Sequence, residues 1–358
     1  MKKVLFAAFA ALILMSSCSN IDDVSFTPQR TSEQISFNLG DKAVTRSTQS
    51  VVTGTSLPEG SFFGAYGYVK ESTDVDAGYI MINGKYDNTG SSSTPYYWPI
   101  SDDNSDVFVN FVAYYPWTDD AGVVSLNQTT GDFTYHVTAD GLVNDDCTDV
   151  LIAVAANQSP ESSNNRGTLD VNGNVPLTFK HALSLVQFQG KKADYVESVT
   201  ISEIKFSSAL STEGDIVINT KNNPTIADMV VTNKTNPQTY NFAAQNNDLT
   251  DDYQVLSTAM VIPQDVPAAV TIKFDITLVG DGGHIEYRNR TITRTITSGN
   301  DDNNNTYDVT TFAAGHKYIY RYYVTADDVN FSITVDDWTN DWWQVWDTDD
   351  SGAQVNLF

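Results

Sequence analysis

The 358-residue sequence predicts an all-β protein large enough for two sandwich domains. Three features carry that expectation. Apolar side chains recur at every second position in stretch after stretch, the mark of half-buried strands. No segment carries a sustained 3.6-residue apolar stripe, which leaves residues 308–314 as the one place for a short helix. The connections are rich in Asn, Asp, Ser and Gly, as at residues 102–106, 159–166, 245–252 and 299–305.

The elements follow in chain order. Residues 1–17 read as a leader: Lys2 and Lys3, an apolar run over residues 4–15 too short to span a bilayer, then Ser16 and Ser17. Cys18 comes next, so the segment resembles a bacterial lipoprotein signal with Cys18 as the lipidated residue, although Met15 stands where that pattern prefers Leu. An ordinary cleaved signal followed by a chance cysteine is the alternative. The expectation is export to the cell surface, with a lipid tether to the outer membrane.

Ile35, Phe37 and Leu39 alternate with Ser36 and Asn38, giving a first strand with one apolar edge, and Arg46 lies in the polar stretch beyond it. Residues 107–115 are apolar on both faces and belong in the middle of a sheet. Trp98 and Tyr115, each beside a proline, pin strand ends. His181, between Phe179 and the pair Ala182-Leu183, reads as a satisfied core-edge residue and not as a ligand. Pro263 closes a strand because it has no N–H for the ladder. Ile272, Phe274, Ile276 and Leu278 form a row that turns at residues 280–283 into Ile285 and Tyr287, a hairpin. Tyr318, Tyr320, Tyr322 and Val324 form another row, and Val329, Phe331, Ile333 and Val335 answer it across Asp327-Asp328. In the tail, Val355 and Leu357 alternate with Gln354 and Asn356.

Composition narrows the function. Against 45 acidic residues stand only 20 basic ones, and a net charge of −25 repels phosphate backbones, so no nucleic-acid partner is expected. Cys147 is the only cysteine besides Cys18, which excludes a thiolate zinc site and, once Cys18 is lipidated, an intramolecular disulfide. Stability must come from burial, supplied by 17 Phe, 18 Tyr and 6 Trp. No HExxH, GxSxG or Cys/His frame is present, so no catalytic residue and no enzyme activity are assigned. The run Asp347-Thr-Asp349-Asp-Ser351-Gly352 copies half of a calcium loop, but its twelfth position is Phe358, so no metal or other cofactor is expected.

An ordered chain of landmarks adds a resemblance. Gly60-Ser-Phe-Phe-Gly64-Ala-Tyr-Gly-Tyr68 is followed by Tyr96-Tyr-Trp98-Pro99, residues 107–116 and Thr148-Asp149-Val-Leu-Ile-Ala153. Then come Leu177-Thr-Phe179-Lys-His181-Ala-Leu183, Met260-Val-Ile262-Pro263-Gln264, Gly315-His316-Lys-Tyr318-Ile-Tyr320 and Asp337-Trp338. In this order they resemble the fimbrillin family, the Mfa-like and FimA-like subunits of type V pili. The resemblance implies two tandem transthyretin-like Greek-key β-sandwiches. The organisation expected on it is a signal peptide over 1–17, a lipidated prosegment over 18–46, sandwiches over 47–195 and 196–338, and a tail over 339–358. The boundary is placed where Lys191, Lys192 and Asp194 interrupt two apolar strands.

The resemblance further implies a structural subunit of a surface fimbria that contributes to adhesion, with other pilin subunits as partners in a homo- or heteropolymer. It implies proteolysis at Arg46, removal of the Ile35/Phe37/Leu39 strand, and its replacement by a strand from a neighbour, for which Val355 and Leu357 are the candidate donor. An uncut first strand, and a tail packed on its own domain, are the alternatives. A non-polymerising surface lipoprotein that binds glycans or host proteins is the competing function, since Trp342, Trp343 and Trp346 cluster in the tail. Shaft, tip or base position, and any host or bacterial surface ligand, are left open.

Overall fold

A computed structural model describes residues 33–39, 57–70, 76–100, 107–139, 148–160, 169–242, 247–279, 284–300, 304, 306–338, 347–348 and 354–355. The leader with Cys18, together with Arg46, Cys147, Trp342, Trp343, Trp346 and Leu357, lies outside the described residues. All described residues belong to one compact unit, Ser32–Phe358.

The first half of the chain contributes β1 (Phe37–Asn38), β2 (Phe62–Val69), β3 (Gly78–Asp87), β4 (Val109–Tyr115), β5 (Val124–Asn127), β6 (Asp132–Thr138), β7 (Leu151–Gln158), β8 (Val175–Pro176) and β9 (Lys180–His181). There follow β10 (Ser184–Lys192), β11 (Ser198–Phe206), β12 (Leu210–Asn219), β13 (Val230–Gln238), β14 (Asn247–Asp248), β15 (Gln254–Val261), β16 (Gln264–Asp265), β17 (Ala269–Val279) and β18 (Ile285–Thr295). The remainder are β19 (Ser298–Asn300), β20 (Thr306–Asp308), β21 (Thr311–Phe312), β22 (His316–Val324), β23 (Val329–Asp337), β24 (Asp347–Thr348) and β25 (Gln354–Val355). The fold is all-β; among the described residues the only helical element is a single 3₁₀ turn at Ile226–Asp228.

Four main sheets form two layered pairs. The first sheet runs β3-β2-β4-β7-β9 and the second β13-β12-β6-β5; the third runs β15-β10-β22-β23 and the fourth β14-β11-β17-β18. Tyr66, Val112 and Tyr114 of the first sheet pack on Phe133, Tyr135, Ile216 and Ile218 of the second. Val186, Phe188, Tyr320 and Tyr322 of the third pack on Ile201, Ile272 and Phe274 of the fourth. The period-two rows read from the sequence at 272–278, 318–324 and 329–335 are β17, β22 and β23, and both expected hairpins are present.

Two expectations are corrected. Residues 308–314 hold no helix: β20 and β21 lie there, and β21 pairs with β16 so that Phe312 enters the core of the second pair. The sheets also do not divide at residue 195. β12, downstream of that point, pairs with β6 from Glu213↔Thr138 to Asn219↔Asp132, while β10, upstream of it, lies in the third sheet. The polar interruption at Lys191–Asp194 is a turn within the second pair, held by Lys192 N–H to the Thr250 carbonyl (2.7 Å) and Ala193 N–H to the Val324 carbonyl (2.9 Å). The halves share strands: Leu210 of β12 joins the core of the second pair, and Ile216 and Ile218 that of the first.

The first sheet is apolar on both faces. Alternation in β4 sends Val112 and Tyr114 toward the second sheet, and Val109, Phe111 and Ala113 to the opposite side. Gly64 fits this packing, because a methyl group there would lie 2.1 Å from the Tyr114 ring. Among the described residues, none of the other three main sheets lies over the side bearing Phe63, Ala65 and Phe111. What covers it is the candidate site.

Candidate functional site

Residues 33–39 lie across that face as a single extended ribbon. Ile35 and Phe37 point inward at 0 % and 2 % exposure; Leu39, expected to be equivalent, is only partly buried. The ring of Phe37 meets Phe63, Tyr86 and Phe111 edge-on, with centroids at 5.7, 4.7 and 5.4 Å. At about 1.5–3 kcal/mol for each fully buried side chain, Ile35 and Phe37 contribute about 3–6 kcal/mol of apolar burial.

The backbone is gripped on two sides. On one, Ile35 N–H donates to the Tyr96 carbonyl (2.8 Å), Phe37 N–H to Gly90 (3.1 Å), and Trp98 N–H to Glu33 (2.9 Å). Gln34 forms an antiparallel bridge with Tyr97 there. On the other, Val175 N–H donates to the Ser36 carbonyl (2.9 Å) and Leu177 N–H to Asn38 (2.8 Å), and β1 runs parallel to β8. The Tyr86 hydroxyl donates to the Ile35 carbonyl at 3.4 Å.

Close approach at Gly90 is obligatory. Its φ is +82°, and a methyl group there would sit 1.9 Å from the Phe37 carbonyl oxygen.

The outward side chains are also engaged. Ser36 Oγ donates to Asn174 Oδ1, and Asn38 Nδ2 donates to Asp170 at 2.7 Å. The Asp170 carboxylate is fixed in turn by the N–H groups of Asn172 and Asn174, each at 2.8 Å. These bonds, the Asn174 N–H foremost, hold the Asp170 carboxyl below the usual carboxylate range.

Sequence reasoning picked out Ile35, Phe37 and Leu39 but missed the receiving residues Gly90, Tyr86, Asp170, Asn174 and Val175. The turn-rich run from Asp170 to Asn174 was the available signal. Of the other expected residues, Val355 lies in β25, which pairs with β24 through Asp347↔Val355 and Thr348↔Gln354. Cys18, Arg46 and Leu357 lie outside the described residues.

His181 belongs to a different place, where the two pairs meet. Its Nδ1 lies 3.1 and 3.0 Å from the two carboxylate oxygens of buried Asp149, and its ring stacks on Trp338 at 3.8 Å and 5°. Its Nε2 is buried with no partner among the described residues. The expected satisfied core-edge histidine is thus satisfied on one nitrogen only. A cavity of about 370 Å³ beside it is bordered by Phe179, Met229, His316 and Trp338. Trp338 follows β23 of the second pair yet packs in the core of the first, so it bolts the halves together.

The model of fimbrillin-like proteins matches residues 45–338. The chain belongs to the fimbrillin-like family. The matched span begins after the buried ribbon and ends at Trp338. No curated protein matches this fimbrillin-like chain. Among solved structures, a fimbrial protein from Bacteroides vulgatus is 17 % identical with a TM-score of 0.50, over 77 % of this chain and 93 % of that one. The tip fimbrial protein Mfa3 from Porphyromonas gingivalis, C-terminally truncated, is 11 % identical with a TM-score of 0.36, over 78 % and 95 %. The first of these shares the fold.

Proposed function

We propose that this fimbrillin-like chain is a structural subunit of a surface fimbria and that residues 33–39 are a removable cover over its assembly groove. One observation carries the proposal: the ribbon buries Ile35 and Phe37 in the core, although a few residues on, at the very start of the family-matched span, Arg46 stands in a polar stretch. Cleavage at Arg46 would free the ribbon from the chain that follows. Its departure would leave an apolar trough edged by unpaired backbone groups at Gly90, Tyr96, Trp98, Val175 and Leu177, which is a template for a strand from a neighbouring subunit. Such a contact joins unlike surfaces and propagates as a filament. The swap needs no cofactor and no catalytic side chain, and it fits a fimbrial protein contributing to adhesion.

In this reading Cys18 holds the precursor at the outer membrane until the cut, and the tail with Val355 and Leu357 is the candidate donor strand for the groove of another subunit. Arg46→Ala tests it. The variant should fold and reach the surface but yield no filaments, and the mature wild-type subunit from sheared filaments should begin at Ser47. Filaments made normally by Arg46→Ala, or a mature subunit retaining residues 33–39, would overturn the proposal.

A further inference from the structure

We infer that the groove selects its incoming strand by one aromatic side chain in a fixed register, and that its partner is a segment of a different subunit and not this chain's own tail. The inference rests on the removable-cover reading and names the partner chemistry.

The Phe37 site is an aromatic box, with three rings set edge-on around a fourth and 2 % of the residue exposed. A smaller side chain leaves a void there, and a larger one forces the surrounding rings apart. A one-residue slip turns polar side chains inward. A two-residue slip moves the aromatic into the fully enclosed Ile35 site or out to the half-open Leu39 site. The register is therefore set by the ring.

A second reader lies outside. Asp170, positioned by two backbone N–H groups, accepts from the amide of Asn38, the residue after the ring. An amide donor satisfies it. An Asp or Glu at that position would meet it carboxylate to carboxylate, so the groove rejects acidic strands, which in a chain of net charge −25 is a useful exclusion. The matching segment thus reads aliphatic, small polar, aromatic, amide, aliphatic, and runs parallel to β8.

The sequence of the tail does not read so. Placing Val355 and Leu357 in the Ile35 and Phe37 sites puts Leu in the aromatic box and sets Phe358 against Asp170. Moving Phe358 into the box instead puts Asn356 into the Ile35 site, burying an amide. The groove and the candidate donor stretch of residues 353–358 are not complementary, and the chemistry points to a heteropolymeric contact.

The test uses the full chain with a sequence-specific protease site inserted after Arg46, nicked after folding. A labelled Gln34–Leu39 peptide is exchanged in and competed with unlabelled peptides. The ribbon's own sequence should compete best. Its Phe37→Leu form and the peptide of residues 353–358 should each be at least about tenfold weaker, the magnitude of 1.4 kcal/mol. Its Asn38→Asp form should be weaker as well, and should recover on an Asp170→Asn chain. Equal competition by the tail peptide or by Phe37→Leu would overturn the selection while leaving an exchangeable cover. Failure of the ribbon's own peptide to exchange would overturn the cover itself, and the inference with it.

Discussion

The first and third sheets each have one face packed on a partner sheet, and their other faces solve opposite problems. On the first sheet, β2 and β4 turn Phe63, Ala65, Val109, Phe111 and Ala113 outward, and this apolar surface is closed by a ribbon joined through short ladders. On the third sheet, the residues of β10 and β22 that alternate with the core are Leu185, Gln187, Gln189 and Lys191 and, opposite them, Lys317, Ile319, Arg321 and Tyr323, with Leu185 packed in the core of the first pair. Its central polar side chains bond one another: Arg321 Nε donates to Gln189 (2.9 Å), Gln189 to Gln187 (2.7 Å), and Gln187 to Thr258 (3.4 Å). The face of rings and methyls is buried against an added segment, whereas the middle of the third sheet's face is knit by its own amides.

The largest effect should separate the two regions by cooperativity. Phe188, in the core of the second pair, contacts Phe206, Phe242, Tyr320 and Tyr322, and Phe188→Ala should cost about 3–5 kcal/mol of global stability in urea unfolding. Phe37→Ala removes an equally buried ring, but the loss should appear as local opening. Amide exchange at Ile35, Phe37, Trp98, Val175 and Leu177 should accelerate while the urea midpoint moves little. Equal shifts of the midpoint would mean that the ribbon is an integral strand.

The polar face of the third sheet carries the next effect. Burial lowers the Lys317 ammonium to about 8; nearby Asp336 works against this and Arg321 adds to it. The folded pKa lies below the unfolded value of 10.5, so the unfolded chain binds the proton more tightly and stability rises with pH between about 8 and 10.5. Below pH 8 the folded protein carries the full penalty, about 3 kcal/mol. Lys317→Met should therefore stabilise at pH 7.5, and its advantage should shrink by pH 9.5. A constant difference across that range would place the lysine in water.

Gly90 tests the covered face from the receiving side. Gly90→Ala combines an alanine at positive φ, about 1–3 kcal/mol of strain, with a collision against the Phe37 carbonyl. It should open the groove without a cut, raising binding of a hydrophobic dye and leaving the second pair's unfolding unchanged. Loss of both transitions together would deny the groove its independence.

How much of this was legible depends on the range of the interaction. Period two announced β17, β22 and β23, and the doubly apolar run at 107–115 announced β4 as a central strand, because alternation is local. The ribbon's apolar edge was legible for the same reason. Its receiving residues were not, since Asp170 and Asn174 lie more than 130 positions away and look like an ordinary turn until Asn38 and Ser36 are placed against them. The domain boundary failed likewise. Lys191, Lys192 and Asp194 signal a turn, but nothing local says that β12 will return to pair with β6. Pairing partners across a hundred residues are chosen by burial over the whole chain, not by any window of it.

The smallest effects lie along one strand, β22, and should differ in sign. The Tyr318 hydroxyl donates to the Thr311 carbonyl (2.9 Å) and accepts from Ala313 N–H (2.8 Å). Tyr320 and Tyr322 are wholly buried two and four residues on, and their hydroxyls have no partner among the described residues. Burial holds both phenols well above their ordinary pKa. An unsatisfied buried hydroxyl costs more than its ring gains from carrying it, whereas a satisfied one contributes about 1 kcal/mol. Tyr320→Phe and Tyr322→Phe should therefore each raise stability, by up to about 1 kcal/mol, and Tyr318→Phe should lower it by about as much and orphan the Ala313 amide. Raised folded pKa values also mean that, as pH climbs through 10, the unfolded phenols ionise first and the wild type loses stability that the two Phe variants keep. Should all three substitutions destabilise alike, the inner hydroxyls would have to be bridged by buried water, and the core of the second pair would be less purely apolar than the face beneath the ribbon.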